Sequence, residues 1–423
     1  MQHIFGKLAL VIKDSSLRSR LFFVMGALII FRILASIPIP GVDTVRLESF
    51  LANNQLVGLL NIFSGGGLSN LSIVMLGVGP YITGSIIMQL LTMLSPRLKA
   101  LYQDEGELGR KRMSQYSRLL TVPLAFIQGA SFLVLLERQG IVEHLTLYPF
   151  LLNLLVIATG SILLMWLGEL ITEFGIGNGV SLIIFSGIVA VLPTKVAQLS
   201  FSFNTSQIPI YVGFAAVGLL IIAAVVAITE AERAIPVTYA KRIRGSKVFG
   251  GISTYLPLRM NQAGVIPIIF ALSILLFPQM LFNLLTYVHN DTINRVGAFF
   301  NNLIANHWFY GIAYFVLVFL FTYFYTAVTF DPETIATNLQ KNGAFIPGVR
   351  PGTSTALYIS RIVLRITLVG AIFLGFIAVL PLIMQGLTGI QTLALGGTSL
   401  LIVVSVVLDL VRKIDAQVSM REY

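Results

Sequence analysis

The sequence predicts an all-α membrane protein: ten transmembrane helices in two five-helix halves, with an apolar run after the first span that is too short to cross. Three observations predict it. Hydrophobic residues make up 56% of the chain against 11% charged, with a mean hydropathy of +0.88, a balance that belongs to a chain solvated by lipid. Apolar stretches recur at lengths near the ~20 residues a helix needs to cross a bilayer. Lys and Arg gather in alternate connecting loops, as they do on the cytoplasmic side of membrane proteins.

Taken in order, residues 1–20 are polar and amphipathic, and no small-residue cleavage site follows the next apolar run, so the first span, Leu21–Pro38, is expected to be retained. The chain then reaches LVGLLNIF and stops at Ser64-Gly65-Gly66-Gly67. Leu56–Phe63 is too short to cross, and three glycines at membrane depth are tolerable only inside protein or beside water. Length alone leaves two readings, a half-helix dipping into the outer half of the molecule or an interfacial helix followed by a loop. Further spans are expected at Leu71–Leu94, Leu119–Leu136, Phe150–Leu170, Val180–Leu192, Ile208–Ile228, Ala263–Leu285, Phe309–Phe330, Ile362–Met384 and Gly396–Val411.

The fifth span, Val180–Leu192, is short, and charge arbitrates. With all ten crossing and the N-terminus inside, every Lys and Arg falls inside except Arg46, Arg138, Lys195 and Arg295 outside and Arg32 within the first span. Treating Val180–Leu192 as re-entrant would put the last three basic clusters outside, against the positive-inside rule. Both termini are then cytoplasmic. An odd number of spans per half makes the halves inverted repeats if they are related. The expected divisions are a cytoplasmic segment 1–20, an N-terminal half 21–192, an external hinge loop 193–207, a C-terminal half 208–411 with cytoplasmic loops 229–262 and 331–361, and a tail 412–423.

Chemistry is limited by what the chain lacks. It has no cysteine and a net charge of +10, so disulfides, thiolate metal sites and cysteine nucleophiles are excluded. His3, His144, His289 and His307 are scattered and form no metal or catalytic cluster. No GxxxxGK[ST] phosphate loop occurs, and Gly175-Ile-Gly177-Asn-Gly179 reads as a turn between helices. The sequence predicts no enzyme and no cofactor. Energy for any transport has to come from a partner.

Eight stretches together resemble the SecY family, the channel subunit of the Sec protein translocase of bacterial type: FRILASIPIPGVD, NIFSGGGLS, GPYITGSIIMQLLT, EGELGRKRMSQYSR, MWLGELITEFGIGNGVSLIIFSGIVAVLP, YLPLRMNQAGVIPIIFA, NLQKNGAFIPGVRPG and GGTSLLIVV. They lie in that family's order, nearly end to end. The resemblance implies a protein-conducting channel in the cytoplasmic membrane. It would pass unfolded secretory polypeptides across and release membrane segments laterally, with two inverted halves opening like a clamshell.

The resemblance also assigns positions. The half-helix and its glycines match the family's plug and hinge, about 56–71, including Leu59, Asn61, Phe63, Ser64, Gly65, Gly66 and Gly67. The constriction ring maps onto Val78 and Ile82 (GVGPYI), Val180 and Ile184 (NGVSLIIF), Ile269 (VIPIIF) and Ile402 (GGTSLLIVV). Apolar, compliant side chains resist wetting and select no particular peptide, and valine at two of the six places implies a looser ring that leaves more of the seal to the plug. The gate elements are Leu71–Leu94, Leu119–Leu136, Ala263–Leu285 and Phe309–Phe330. Between Glu230 and Gln262, IPVTYA and VFGGISTY flank KRIRGSK like a β-hairpin with a basic tip. Lys241, Arg242, Arg244 and Lys247 there, with Arg350 in IPGVRPG, match the loops that dock the ribosome, whose RNA attracts cations, or the SecA ATPase. Implied partners are SecE, SecG, SecA, the ribosome, signal sequences, nascent chains and membrane lipids.

Two rivals fit the composition less well. An ion-coupled secondary transporter would place ionisable groups at mid-membrane, whereas Glu169, Glu173, Asp409 and Arg365 sit at cytoplasmic helix ends. Arg32 alone lies well inside a span and is expected to meet a polar partner near the outer interface. An intramembrane protease would need a buried Ser–His or Asp pair, which the sequence does not offer.

Overall fold

The computed structural model describes residues 14–40, 61, 64–68, 70–104, 106–142, 146–201, 208–239, 242–244, 247–249, 253–285, 291–388 and 391–419. Its helices are α1 (Ser15–Ala35), α2 (Gly79–Leu94), α3 (Pro96–Asp104), α4 (Gly106–Arg138), α5 (Leu147–Phe174), α6 (Gly179–Phe201), α7 (Ile208–Glu230), α8 (Ile266–Leu285), α9 (Asp291–Ala305), α10 (His307–Thr329), α11 (Pro332–Lys341), α12 (Thr353–Thr388) and α13 (Gln391–Ser419). Five short strands lie between them: β1 (Glu232–Tyr239), β2 (Arg242–Arg244), β3 (Lys247–Phe249), β4 (Ser253–Arg259) and β5 (Ala344–Phe345). The chain is a mostly helical, multi-pass membrane protein.

A helix lies over each expected span, and among the described residues four regions are long and apolar enough to cross a membrane outright: Gly106–Arg138, Leu147–Phe174, Trp308–Lys341 and Thr353–Ile383. Local chemistry sets the ends. Asp14 accepts the Ser16 amide at 2.8 Å to start α1, Asn306 accepts the Trp308 amide at 3.1 Å to start α10, and Pro80 occupies the first turn of α2, where its missing N–H costs nothing. At 33 and 36 residues, α4 and α12 outreach the bilayer. Their N-terminal parts, which carry Arg110, Lys111 and Arg112 in α4 and Arg361 in α12, are the polar ends.

Two expectations need correction. The second span does not begin at Leu71: residues 71–78 form consecutive turns and the helix starts at Gly79. Leu71 and Gly77 take positive φ, 41° and 58°, which no α-helix accommodates, and Ile39 and Ile73 instead exchange backbone hydrogen bonds with Leu71 and Ile37 across the exit of α1. The segment 193–207 is not a loop throughout, because α6 runs through Pro193 as far as Phe201.

The part before residue 202 and the part after 207 meet along two seams. On one, α8 packs against α2 and α4; on the other, α13 packs against α6. One apolar cluster bridges both, drawing Val78 and Ile82, Ile183 and Ile184, Ile269, Val318, Leu374 and Ile402 into contact.

Candidate functional site

The apolar cluster borders an open cavity of about 410 Å³. Its apolar wall includes Ile82 from α2, Val180 and Ile184 from α6, and Ile266 and Ile269 from α8. Its polar wall carries Ser85, Gln89, Ser114, Arg118, Glu169, Glu173, Asn178 and Ser181. Arg118 Nε donates to Glu169 Oε1 at 2.5 Å across the α4–α5 contact, with Glu169 the more enclosed partner. The polar residues come from the middle and C-terminal part of α2, the C-terminal end of α5, the turn into α6 with its first residues, and the N-terminal half of α4. The cavity thus sets a polar, charged wall beside an aliphatic one.

Four of the six sequence-derived ring residues, Ile82, Val180, Ile184 and Ile269, line this one cavity. Val78 and Ile402 do not line it; both are fully enclosed in the large apolar cluster that also holds Ile82, Ile184 and Ile269. Such a surface offers no fixed hydrogen-bond partner to a polypeptide and no ligand to an ion.

Of the expected plug, Leu59 and Phe63 lie outside the described residues, as does most of 56–71 that precedes the glycines. Asn61 is helical, and Ser64, Gly65, Gly66 and Gly67 form a buried turn. Gly65 and Gly66 take φ of 64° and 84°, a region glycine enters without a Cβ penalty. Ser64 Oγ donates to the Asn61 carbonyl at 2.9 Å and accepts the Leu68 amide at 3.0 Å. A side chain on Gly65 would strike the ring of Phe31, and Gly65 itself lies directly on Gly187 of α6.

The basic loops form one body rather than two. β1 pairs antiparallel with β4 as the sequence predicts, and β2 with β3 carries the tip, with Arg244 opposite Lys247 and Arg242 opposite Phe249. Lys241 lies outside the described residues. The two-residue strand β5, from the next loop, adds to the free edge of β1 through Thr238 with Phe345 and Tyr239 with Ala344. Ile235, Val237, Leu258, Ala344 and Ile346 then pack on the extended end of α12 through Ile359, Ile362 and Val363. Arg350 is exposed at the rim of this platform, its carbonyl accepting Thr355 Oγ1 at 2.8 Å. At the entry to α11, desolvation pushes the Asp331 carboxyl up, but hydrogen bonds from Thr334 and the Glu333 amide, with the charge of Lys99, hold it below the usual carboxylate range.

Sequence reasoning missed three features of the site. Nothing signalled β5, because two residues carry no period. Ser161 on α5 donates to the Gly77 carbonyl at 2.9 Å, and Gly160 takes the Ile73 backbone against its Cα, pinning the turns that precede α2. Arg32 does meet polar groups, but they are backbone carbonyls: Nη1 reaches Gly65 O at 3.2 Å, and Nη2 reaches Ser186 O at 2.8 Å and Gly187 O at 3.3 Å.

Comparison with known proteins agrees with this geometry. The SecY family profile matches residues 72–411. Protein translocase subunit SecY of Mycobacterium tuberculosis is 41% identical over 434 residues, covering 97% of each chain, and that of Synechocystis sp. is 41% identical over 417 residues, covering 97% of this chain and 94% of the other. A solved protein-conducting channel superposes with a TM-score of 0.67 at 19% identity over 95% of this chain and 93% of that one. A SecY structure, described as one whose plug domain stabilises the closed state and maintains a membrane seal, superposes with the same TM-score of 0.67 at 20% identity and the same coverage, 95% and 93%. With a family match spanning most of its length and relatives this similar from end to end, the chain belongs to the SecY family.

Proposed function

We propose that the chain is the central protein-conducting channel of a Sec translocase, passing unfolded polypeptides across the cytoplasmic membrane and releasing apolar segments sideways into it. The observation that carries this reading is the central cavity, which sets a polar wall beside aliphatic side chains from α2, α6 and α8; in this reading Ile402 of α13 completes the ring. A translocating chain presents every kind of side chain in turn. A wall that only excludes water tolerates them all, and it dewets when empty.

Val78, Ile82, Val180, Ile184, Ile269 and Ile402 form the constriction in this reading, and residues 56–71 form the plug on its outer side. The seam of α8 with α2 and α4 is the lateral gate. Both termini and the β1–β5 platform face the cytoplasm, where Lys241, Arg242, Arg244, Lys247 and Arg350 dock SecA or the ribosome; SecE and SecG complete the complex. A Sec61 channel with 18% identity and a TM-score of 0.63 is described in a canine ribosome–channel complex, which supports the ribosome as a partner. Ion-coupled transport is disfavoured because the charged groups of the cavity, Arg118, Glu169 and Glu173, sit on its polar wall rather than among the ring residues.

The test uses the absence of native cysteine. A single cysteine at each of the six ring positions should crosslink to a secretory chain arrested midway, whereas Leu400→Cys, beside the ring, should do so far less. Crosslinks scattered over lipid-facing positions such as Ile29 or Phe376 instead would defeat the assignment.

A further inference from the structure

A guanidinium inside a spanning helix costs roughly 2.5–3.5 kcal/mol on insertion scales, so what compensates Arg32 is informative. Among the described residues no carboxylate pairs with it. Its partners are three carbonyls from two separate segments, Gly65 O of the glycine turn and Ser186 O and Gly187 O of α6. The planar fork of arginine can hold both at once, and a lysine ammonium, a single point, cannot span them the same way.

The surroundings make this contact a tie rather than a filler. Among the described residues, the other hydrogen bonds of Gly65–Gly67 are local, running to Asn61, Ser64 and Ser72. Phe31, fully buried, covers Gly65 from one side; Gly187 meets it from the other; Gly66 has Arg32 Nη1 and the Val191 side chain within 4 Å of where a Cβ would stand. Carbonyl dipoles hold a cation without the depth of an ion pair, so the tie can be broken and remade.

We propose that Arg32 is the positioning residue that latches the glycine turn onto α6, so that displacing the plug requires releasing Gly65 from this guanidinium. The proposal rests on reading residues 64–67 as the hinge of the seal. It adds the part of the channel that decides when the hinge lets go.

The test measures hinge exposure and leak separately on the assembled channel in proteoliposomes. Leu68, next to the turn and 2% exposed, is replaced by cysteine as the sole thiol, and its labelling by a membrane-impermeant maleimide reports how often the turn unseats. Arg32→Met, which keeps the bulk and removes the donors, should speed labelling at least tenfold, equivalent to about 1.4 kcal/mol, and should raise resting ion flux. Arg32→Lys, which keeps the charge but not the fork, should also label faster, and it carries the test alone if the methionine variant does not assemble. Unchanged labelling in Arg32→Lys and in any Arg32→Met channel that assembles overturns the latch. Faster labelling with unchanged leak upholds the latch and overturns the reading of the hinge as part of the seal.

Discussion

Gly187→Ala tests the seat of the hinge from the opposite side. In the middle of an exposed helix this change ordinarily stabilises by up to about 1 kcal/mol. Here the new methyl would overlap the Cα of Gly65 and lie 2.6 Å from its carbonyl oxygen, where carbon atoms need about 3.5 Å. The three nearest atoms, the Cα, C and O of Gly65, are all backbone, so no rotamer change relieves the overlap, and the turn has to retreat by roughly 1.5 Å. That retreat carries Gly65 O beyond hydrogen-bond reach of Arg32 Nη1, now 3.2 Å away. Overpacking costs about 1–3 kcal/mol and a hydrogen bond to a charged group contributes about 1.5–3. Because one displacement relieves the overlap and breaks the bond, about 3 kcal/mol is the expected net effect, a shift of roughly a hundredfold toward the unseated turn. Stopped-flow ion flux into proteoliposomes, compared between Gly187→Ala and Gly213→Ala, reads it directly. Gly213 has open space where its Cβ would go and should leave flux unchanged. Equal flux in the two variants would refute the argument that the Gly65–Gly187 contact holds the channel shut.

Replacing both Ile82 and Ile402 by glycine should widen and wet the constriction, raising single-channel conductance in planar bilayers several-fold, since the barrier to water depends on radius and lining together; the same pair of changes at Leu219 and Leu220, which are lipid-exposed, should not. Arg350→Glu reverses an exposed charge on the β1–β5 platform and should lower SecA-driven translocation in vesicles while complex assembly, followed by co-purification, stays normal. Asp331→Ala removes the cap of α11 and should cost about 1 kcal/mol, read as faster amide exchange across residues 332–341. Because the folded carboxyl lies below its ordinary value, the cap's contribution is fully present above the unfolded carboxylate pKa of about 3.9 and is lost as pH falls through the lower folded value, so wild-type exchange should approach that of the variant only in acid.

Membrane class and the approximate placement of the helices were legible in the sequence because they follow from one-dimensional sums. Transfer of apolar side chains sets where helices can cross, and counting Lys and Arg gives an expectation of which way they face. The proposed ring positions rest on motif matching alone, since Val78 or Ile402 is chemically indistinguishable from dozens of aliphatic neighbours. The β1–β4 pair showed in its composition, with IPVTYA and VFGGISTY on either side of a basic turn. What tertiary structure alone decided are the contacts made by backbone. The carbonyls of Gly65, Ser186 and Gly187 carry no residue identity, so nothing in the chain announced that Arg32 would close on them. The apolar run from Leu71 reads as helix until Ser161, Gly160 and the exit of α1 claim its peptide groups, at which point long-range hydrogen bonds outweigh local propensity. Glycine at 187 has no side chain to signal, and its role exists only because another glycine, more than a hundred residues away, rests against it.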